Sequence, residues 1–329
     1  MEYIEDVVTI LSKLNLDDIE QTISEPYIKK GAGRPARKPL GIFKALMVKQ
    51  LRKIPSDREL YRRLWNDENL RMICDIEERE KPYHPSQMTR FRDRVGPERL
   101  EEIMNKLVIE LVELGEIGGE SVALDATFIK AWSKRDPVDD SRGYSDPESR
   151  VGRDGKTYDL GYKAHTVVSS ESDMPIGVIV ASANDNEKKH APALLGKVAK
   201  GPSEVKVVVA DSQYSSENVR NCIGMLGALP VVPYMSNQAK DMPVLRVDKY
   251  FRANGGTAEE RRLYGLGRAS VERVNSRLEL VGLGGLRVRG LRNVLMHVLL
   301  CVIVVLLVAV AAYRLGRPHK VRSVRSFWC

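Results

Sequence analysis

An α/β fold is predicted, with a mixed five-stranded sheet flanked by helices and preceded by an all-α N-terminal domain. Three features of the 329-residue chain predict it. Apolar residues recur at helical spacing from 40 to about 114, glycines break the pattern at 115–119, and beyond them short apolar runs alternate with helical ones. The order after the break is strand, strand, strand, helix, strand, helix, strand, which is an α/β texture. Two of the strand runs each end on or contain a lone aspartate, Asp125 and Asp211.

The balance of 43% apolar and 29% charged residues is that of a globular chain and excludes disorder throughout. Lys and Arg exceed Asp and Glu by 52 to 44, a net charge of +8 that permits an anionic partner such as nucleic acid. Cys74, Cys222, Cys301 and Cys329 are scattered without a C-x-x-C pair, which argues against a zinc site or a disulfide framework and fits a reducing compartment. The acidic start, Met1 to Asp6, has no basic segment followed by a small-residue cleavage site, so no secretory signal is expected. Residues 294–313, VLMHVLLCVIVVLLVAVAAY, are long and apolar enough to cross a bilayer, with His297 the one ionisable group. A helix buried on all sides in a large fold reads the same way, so a membrane anchor and a core helix are both open at this point.

Residues 1–39 read as a helical lead followed by a Gly/Pro-rich basic linker from Gly31 to Pro39, either an arm for a phosphate backbone or a solvated loop. Residues 40–118 form the helical domain. Ile42, Ala45, Leu46 and Leu51 mark one helix. Ser56 caps the next, with Glu59 completing a capping box and Leu60, Leu64 and Trp65 turned inward. Ser86 is expected to cap a helix carrying Arg90, Arg92 and Arg94, and a further helix runs from Glu98 to Leu114. A basic, hydroxyl-bearing helix after a turn has the look of a helix-turn-helix reader, which would place those three arginines on DNA.

Residues 119–315 form the α/β domain and 316–329 a basic tail. Strands are expected at 121–129, 160–169 and 175–182, the last two as a hairpin, with 134–155 a solvated polar loop. A helix at 186–198, a buried strand at 204–211, a helix capped by Ser215 and a fifth strand at 229–233 follow. Residues 235–262 read as a polar insertion. The next helix carries Arg268, Glu272, Asn275 and Glu279 on one face and Val271, Val274 and Leu278 on another.

A carboxylate in an apolar strand needs a partner, a hydrogen bond or a metal ion. If the strands of Asp125 and Asp211 are adjacent and the helix of Glu272 packs beside them, three hard oxygen ligands converge, which suits Mg²⁺ or Mn²⁺ rather than zinc. Two such ions activate a water or a 3'-hydroxyl and stabilise a leaving oxygen, the chemistry of phosphoryl transfer on nucleic acid.

Three patches, ALDAT at 123–127, VADSQY at 209–214 and VERVNSRL at 271–278, resemble the acidic motifs of DDE transposases of bacterial and archaeal insertion sequences. DPESR at 146–150, GYKAH at 161–165, Ala183-Asn184-Asp185, SDREL at 56–60 and FRDR at 91–94 are also similar to that family, so the resemblance covers nearly the whole chain. It implies a ribonuclease H-like catalytic domain. It further implies that Asp125, Asp211 and Glu272 hold two Mg²⁺ or Mn²⁺ ions, and that terminal inverted repeats and target DNA are the partners of a homodimer. A cytoplasmic, nucleoid-associated protein with no membrane contact is expected, and the apolar helix at 294–313 becomes core, with His297 a satisfied core residue.

By the same resemblance Arg268 touches the transposon end, and Lys163 is a further DNA candidate. The family signature has a tyrosine three residues before that arginine and a lysine seven after the glutamate. This chain has Gly265 (with Tyr264 one place off) and Glu279. Arg273 or Arg277 would then supply the missing cation. These departures keep open an alternative, a DNA-binding relative without catalysis.

Overall fold

The structure, a computed structural model, describes residues 10–11, 14–27, 36–118, 120–198, 204–235 and 257–324. The basic linker at 31–35 and most of the polar insertion lie outside them. The chain divides into two compact units, one of residues 1–107, 277–288 and 292–329, the other of residues 108–276 and 289–291.

The first unit is helical. Asp17–Ser24 (α1) is followed by Pro39–Leu51 (α2), Asp57–Asn66 (α3), Glu68–Ile73 (α4) and Pro85–Glu113 (α5), whose last turns pass into the second unit. Ser56 caps α3 as expected, its Oγ accepting the Glu59 N–H at 3.1 Å. Leu60 and Leu64, four residues apart, are buried, whereas Trp65 is 47% exposed, contrary to the expected inward position. The next residue along a helix turns about 100° away from the buried stripe, and Trp65 instead meets Tyr61 edge-on at 6.0 Å. Ser86 does not cap α5. Pro85 already opens the helix, the His84 N–H donates to Gln87 Oε1 at 2.9 Å, and His84 Nδ1 takes the Ser86 N–H at 3.2 Å. α5 is two helical segments joined at Gly96, whose φ of 73° and ψ of 167° only glycine adopts readily, with Pro97 starting the second segment.

Leu291–Arg314 (α9, the last long helix) is the apolar run, and every residue from 296 to 312 is buried. Its most apolar window is 94% buried, so the protein itself covers the surface that a bilayer would need to cover. His297 is satisfied: Nδ1 faces Gln50 Nε2 at 3.3 Å and Nε2 faces the carbonyls of Gly282 and Leu283, each at 3.1 Å. Burial pushes its pKa down to about 4, so the ring is neutral and its Nε2–H is the donor to those carbonyls.

The second unit is built on a sheet. Its strands are Ser121–Lys130 (β1), Arg150–Asp154 (β2), Thr157–Ser169 (β3), Met174–Ser182 (β4), Val207–Ala210 (β5) and Leu229–Val231 (β6). Between them lie Ala191–Val198 (α6) and Glu217–Met225 (α7), and Ala258–Leu280 (α8) follows. Ser216, not Ser215, caps α7, accepting the Val219 N–H at 3.3 Å. The sheet order is β2-β3-β1-β5-β6, with β4 also on β3. β1, β3 and β4 pair antiparallel as a meander, while β5 joins β1, and β6 joins β5, in parallel. Leaving β2 aside, this is the strand order and direction of a ribonuclease H-like domain.

β2 is a sixth strand where a loop was expected. It extends the long β3 in a hairpin with Asp154 opposite Thr157, and Gly155 at φ 57° turns the chain. Its polar residues RVGRD hide it from hydrophobic periodicity. The expected loop is also less solvated than its acids imply. Asp146 is buried and accepts from the Tyr162 hydroxyl at 2.7 Å and the Gly290 N–H at 3.1 Å, and Glu148 accepts the Leu291 N–H at 3.1 Å.

Ser56→Ala removes the acceptor at the α3 N-terminus and is expected to cost about 1 kcal/mol of stability, measured by urea unfolding of the full chain.

Candidate active site

Asp125 and Asp211 come together through strand register. Leu124 of β1 pairs with Ala210 of β5, the last matched position of that parallel pair, so the two aspartates follow it side by side. Asp125 sits mid-strand opposite Thr166 of β3. Asp211 directly follows β5 and caps a short turn, Oδ1 accepting the Gln213 N–H at 2.8 Å.

α8 brings the third set of side chains. A Cβ on Gly267 would lie 2.8 Å from Val209 side-chain atoms, so glycine lets the helix approach β5 closely. One turn later the buried Ser270 hydroxyl donates to the Ser169 carbonyl at 3.3 Å. This seating delivers Arg268 Nη1 to Asp125 Oδ1 at 2.9 Å and Asn275 Nδ2 to Asp125 Oδ2 at 3.1 Å. Glu272 lies between them on that helical face and is exposed to solvent. Among the described residues, no three acidic, histidine or cysteine side chains form a ready-made metal cage.

The charges around the aspartates are crowded. Burial, then the negative charges of Glu187 and Asp125, push Asp211 up to about 6, against the pull of Arg268 and the Gln213 N–H. Burial works against the Arg268 cation, but Asp125 outweighs it, and Asp211 and Tyr264 add to the rise in its pKa. Glu187 is held by Lys163 at 2.9 Å, with both side chains largely buried. Behind this layer, His165 is pushed down to about 3 by burial, His190 and Lys163, and its Nδ1 lies 3.3 Å from the buried Tyr214 hydroxyl.

Two buried oxygens next to Asp125, Thr166 Oγ1 and Asn275 Oδ1, have no hydrogen-bond partner among the described residues. Buried oxygens of this kind are ordinarily paired. Together with the carboxylates they make a hard-oxygen donor set, which fits a hydrated divalent ion such as Mg²⁺ or Mn²⁺ and does not fit a soft metal.

Residues 118–307 match the transposase DDE domain family, and residues 5–94 match a second transposase domain, DUF772. The chain belongs to the DDE transposases. It is a DNA transposase, of a family that cuts and joins DNA. No curated protein matches its sequence. Among solved structures it is similar to a piggyBac transposase synaptic complex with hairpin DNA, at 12% identity and a TM-score of 0.49 over 98% of this chain and 78% of that one. It is also similar to the Mos1 transposase paired-end complex with left transposon end, at 12% identity and a TM-score of 0.23 over 75% and 81%. The Mos1 mariner paired-end complex with Mn gives 11% identity and a TM-score of 0.24 over 86% and 98%.

The cations expected on DNA occupy different settings in this transposase. Arg90 and Arg94 are exposed on α5, where they help line a groove of about 790 Å³ with Arg37, Arg79, Lys81 and Tyr61. Arg94 also stacks over Tyr27 at 4.9 Å. Arg92 is paired with Asp57, and Lys163 with Glu187. Arg273 is held in a fork by the buried carboxylate of Asp173, at 2.8 and 2.7 Å, and Arg277 is buried. Glu279, where the family has lysine, accepts the Gly284 N–H at 3.2 Å and so closes the turn after α8. A side chain at 265 would meet nothing within 4 Å, while Tyr264 lies close enough to Arg268 to act on its charge.

Sequence reading missed Glu187, whose position in a short polar turn gives no periodic signal. It also missed the part of Gly267, although a glycine one residue before the key arginine was visible. Asn275 was placed on the correct helical face without a partner.

Two outcomes follow from this geometry. Gly267→Ala is expected to destabilise the transposase by about 1–3 kcal/mol in urea unfolding, because the added methyl overpacks against Val209. For Asp211 the sign is that of a carboxyl with a raised folded pKa: its contribution is most favourable below about pH 4 and is lost as pH rises through about 6. Asp211→Asn is therefore expected to be more stable than the wild type by roughly 1–3 kcal/mol at pH 7.5 in chelator, with the gap closing near pH 4, measured by urea unfolding at both pH values.

Proposed function

We propose that this transposase cuts and joins DNA at the ends of an insertion sequence by metal-dependent phosphoryl transfer, with Asp125, Asp211 and Glu272 as its three acids. The observation that carries this reading is the β1/β5 register, which sets Asp125 beside Asp211 just past Leu124 and Ala210, with the helix of Glu272 bonded to Asp125 through Arg268 and Asn275. When bound, a pair of divalent ions, Mg²⁺ or Mn²⁺, would supply the Lewis acidity that activates an attacking oxygen and offsets charge on the leaving one.

The protein's own groups supply position and charge. Asp125 and Asp211 provide anchored oxygens on neighbouring strands, and Glu272 offers an exposed carboxylate from the helix face that carries Arg268 and Asn275. Lys163 pairs with Glu187 and offsets part of the negative charge beside Asp211. Water attacks a phosphorus at the element end and the bond to its 3' oxygen breaks. The freed 3'-hydroxyl then attacks a target phosphodiester, displacing the target's 3' oxygen.

The two parts of the chain divide the labour. The helical residues 40–118 grip the terminal repeats, with Arg90 and Arg94 in the basic groove as phosphate contacts, and residues 119–315 carry the chemistry next to Arg268. A homodimer that brings two ends together in the nucleoid of a prokaryotic cytoplasm is the form that fits this task.

Purified Asp125→Asn, Asp211→Asn and Glu272→Gln variants are each expected to lose Mn²⁺-dependent cleavage of end-bearing DNA by about a thousandfold or more, with DNA affinity within about threefold of wild type. Cleavage retained by any one of them would remove that acid from the assignment. Normal DNA binding with no cleavage by the wild type would instead favour the non-catalytic relative, which the Glu279 turn contact makes the second reading.

A further inference from the structure

Both oxygens of Asp125 already accept a hydrogen bond. Its Oδ1 takes Arg268 Nη1 at 2.9 Å and its Oδ2 takes Asn275 Nδ2 at 3.1 Å, with Asp125 14% and Arg268 27% exposed. An ion bound at Asp125 needs at least one of those oxygens. Asn275 is a neutral donor whose own Oδ1 is left over, so it can stay and receive a water of the ion's shell. Arg268 competes with an ion at Oδ1, because a second cation on the same oxygen is repelled at short range. Arg268 is nevertheless the cation bonded to Asp125 and acting on Asp211, and at 27% exposure it has a route to solvent.

We propose that Arg268 is a positioning residue that serves as the resident counter-cation of Asp125, and that the metal ion and the guanidinium exchange at Oδ1. The displaced guanidinium then meets a DNA phosphate, for which its planar fork is suited. A phosphate placed beside the site draws Arg268 away and frees Asp125, so DNA and metal bind cooperatively, each raising the affinity of the other by one factor. The metal site thus stays closed by its own arginine in the absence of DNA. The inference rests on the reading of Asp125 as a metal ligand.

The test is Mn²⁺ affinity of the full chain at fixed pH, measured by titration calorimetry and by the electron spin resonance of free Mn²⁺, with and without a saturating short duplex of arbitrary sequence. Without DNA, Arg268→Gln is expected to bind Mn²⁺ at least about tenfold more tightly than wild type. Lys130→Gln, which removes an exposed cation from the far end of β1, should change it by less than about twofold. Duplex DNA should tighten Mn²⁺ binding of the wild type by about fivefold or more and leave that of Arg268→Gln unchanged. Equal Mn²⁺ affinity of Arg268→Gln and wild type overturns the proposal, as does a DNA effect of the same size in both. Should Arg268→Gln fail to fold, Arg268→Lys replaces it. A lysine keeps the charge but lacks the fork and its reach, so an Mn²⁺ affinity about threefold above wild type supports the exchange and an affinity equal to wild type overturns it. The Asp125→Asn protein separates the two levels: if it binds Mn²⁺ as wild type does, the metal-ligand reading itself fails. If it loses Mn²⁺ while the Arg268 variants gain nothing, only the exchange fails.

Discussion

Like charges set side by side at the end of a parallel strand pair need a counter-charge, and the placement of Arg268 against Asp125 answers that need. The register of β1 and β5 forces Asp125 and Asp211 into neighbouring positions. The raised pKa of Asp211, about 6, reports both its burial and the cost of this crowding. What the sheet creates, the helix offsets: α8 comes close enough to β5 only because residue 267 has no side chain, and one residue later the guanidinium reaches Asp125. Backbone packing and site electrostatics are therefore one constraint. A bulkier residue at 267 moves the cation as well as the helix.

The same logic of local satisfaction runs through the helical unit. α9 is apolar on every face from 296 to 312 because every face there is buried, and its one histidine is kept neutral and bonded between Gln50 and two carbonyls. A charged histidine there would need burial of a cation with no acid beside it, which the lowered pKa of about 4 expresses. The helix meets the length and hydropathy of a membrane span and yet behaves as core, since what distinguishes the two is whether protein covers it.

Much of this arrangement was legible in the residues, for physical reasons that differ by element. The strands β1, β3, β4 and β5 are apolar runs with turns between them, and burial writes such runs directly into sequence. β2 was not legible, because an edge strand with three charged residues among its five is held by backbone pairing to β3 and by the Gly155 turn, neither of which leaves a hydrophobic pattern. Trp65 was misplaced because size suggested burial while helical phase put it one step off the stripe of Leu60 and Leu64. In the site, Asp125 and Asp211 stood out as carboxylates in apolar strands. Glu187 did not, since its part depends on a tertiary contact with Lys163 that no local spacing encodes.

Glu279 shows how a departure from a family pattern acquires a structural meaning. On the surface of α8 a lysine would present a cation to DNA; here a carboxylate folds back on the Gly284 N–H and finishes the helix. Of the nearest arginines, Arg273 is forked onto Asp173 with half of its side chain exposed, and Arg277 is buried. Arg268 differs from both in that its partner is Asp125 of the site itself. At this position a backbone contact stands where the family has a cation, while the arginine of the same helix that the family shares is bonded to the strand carboxylate.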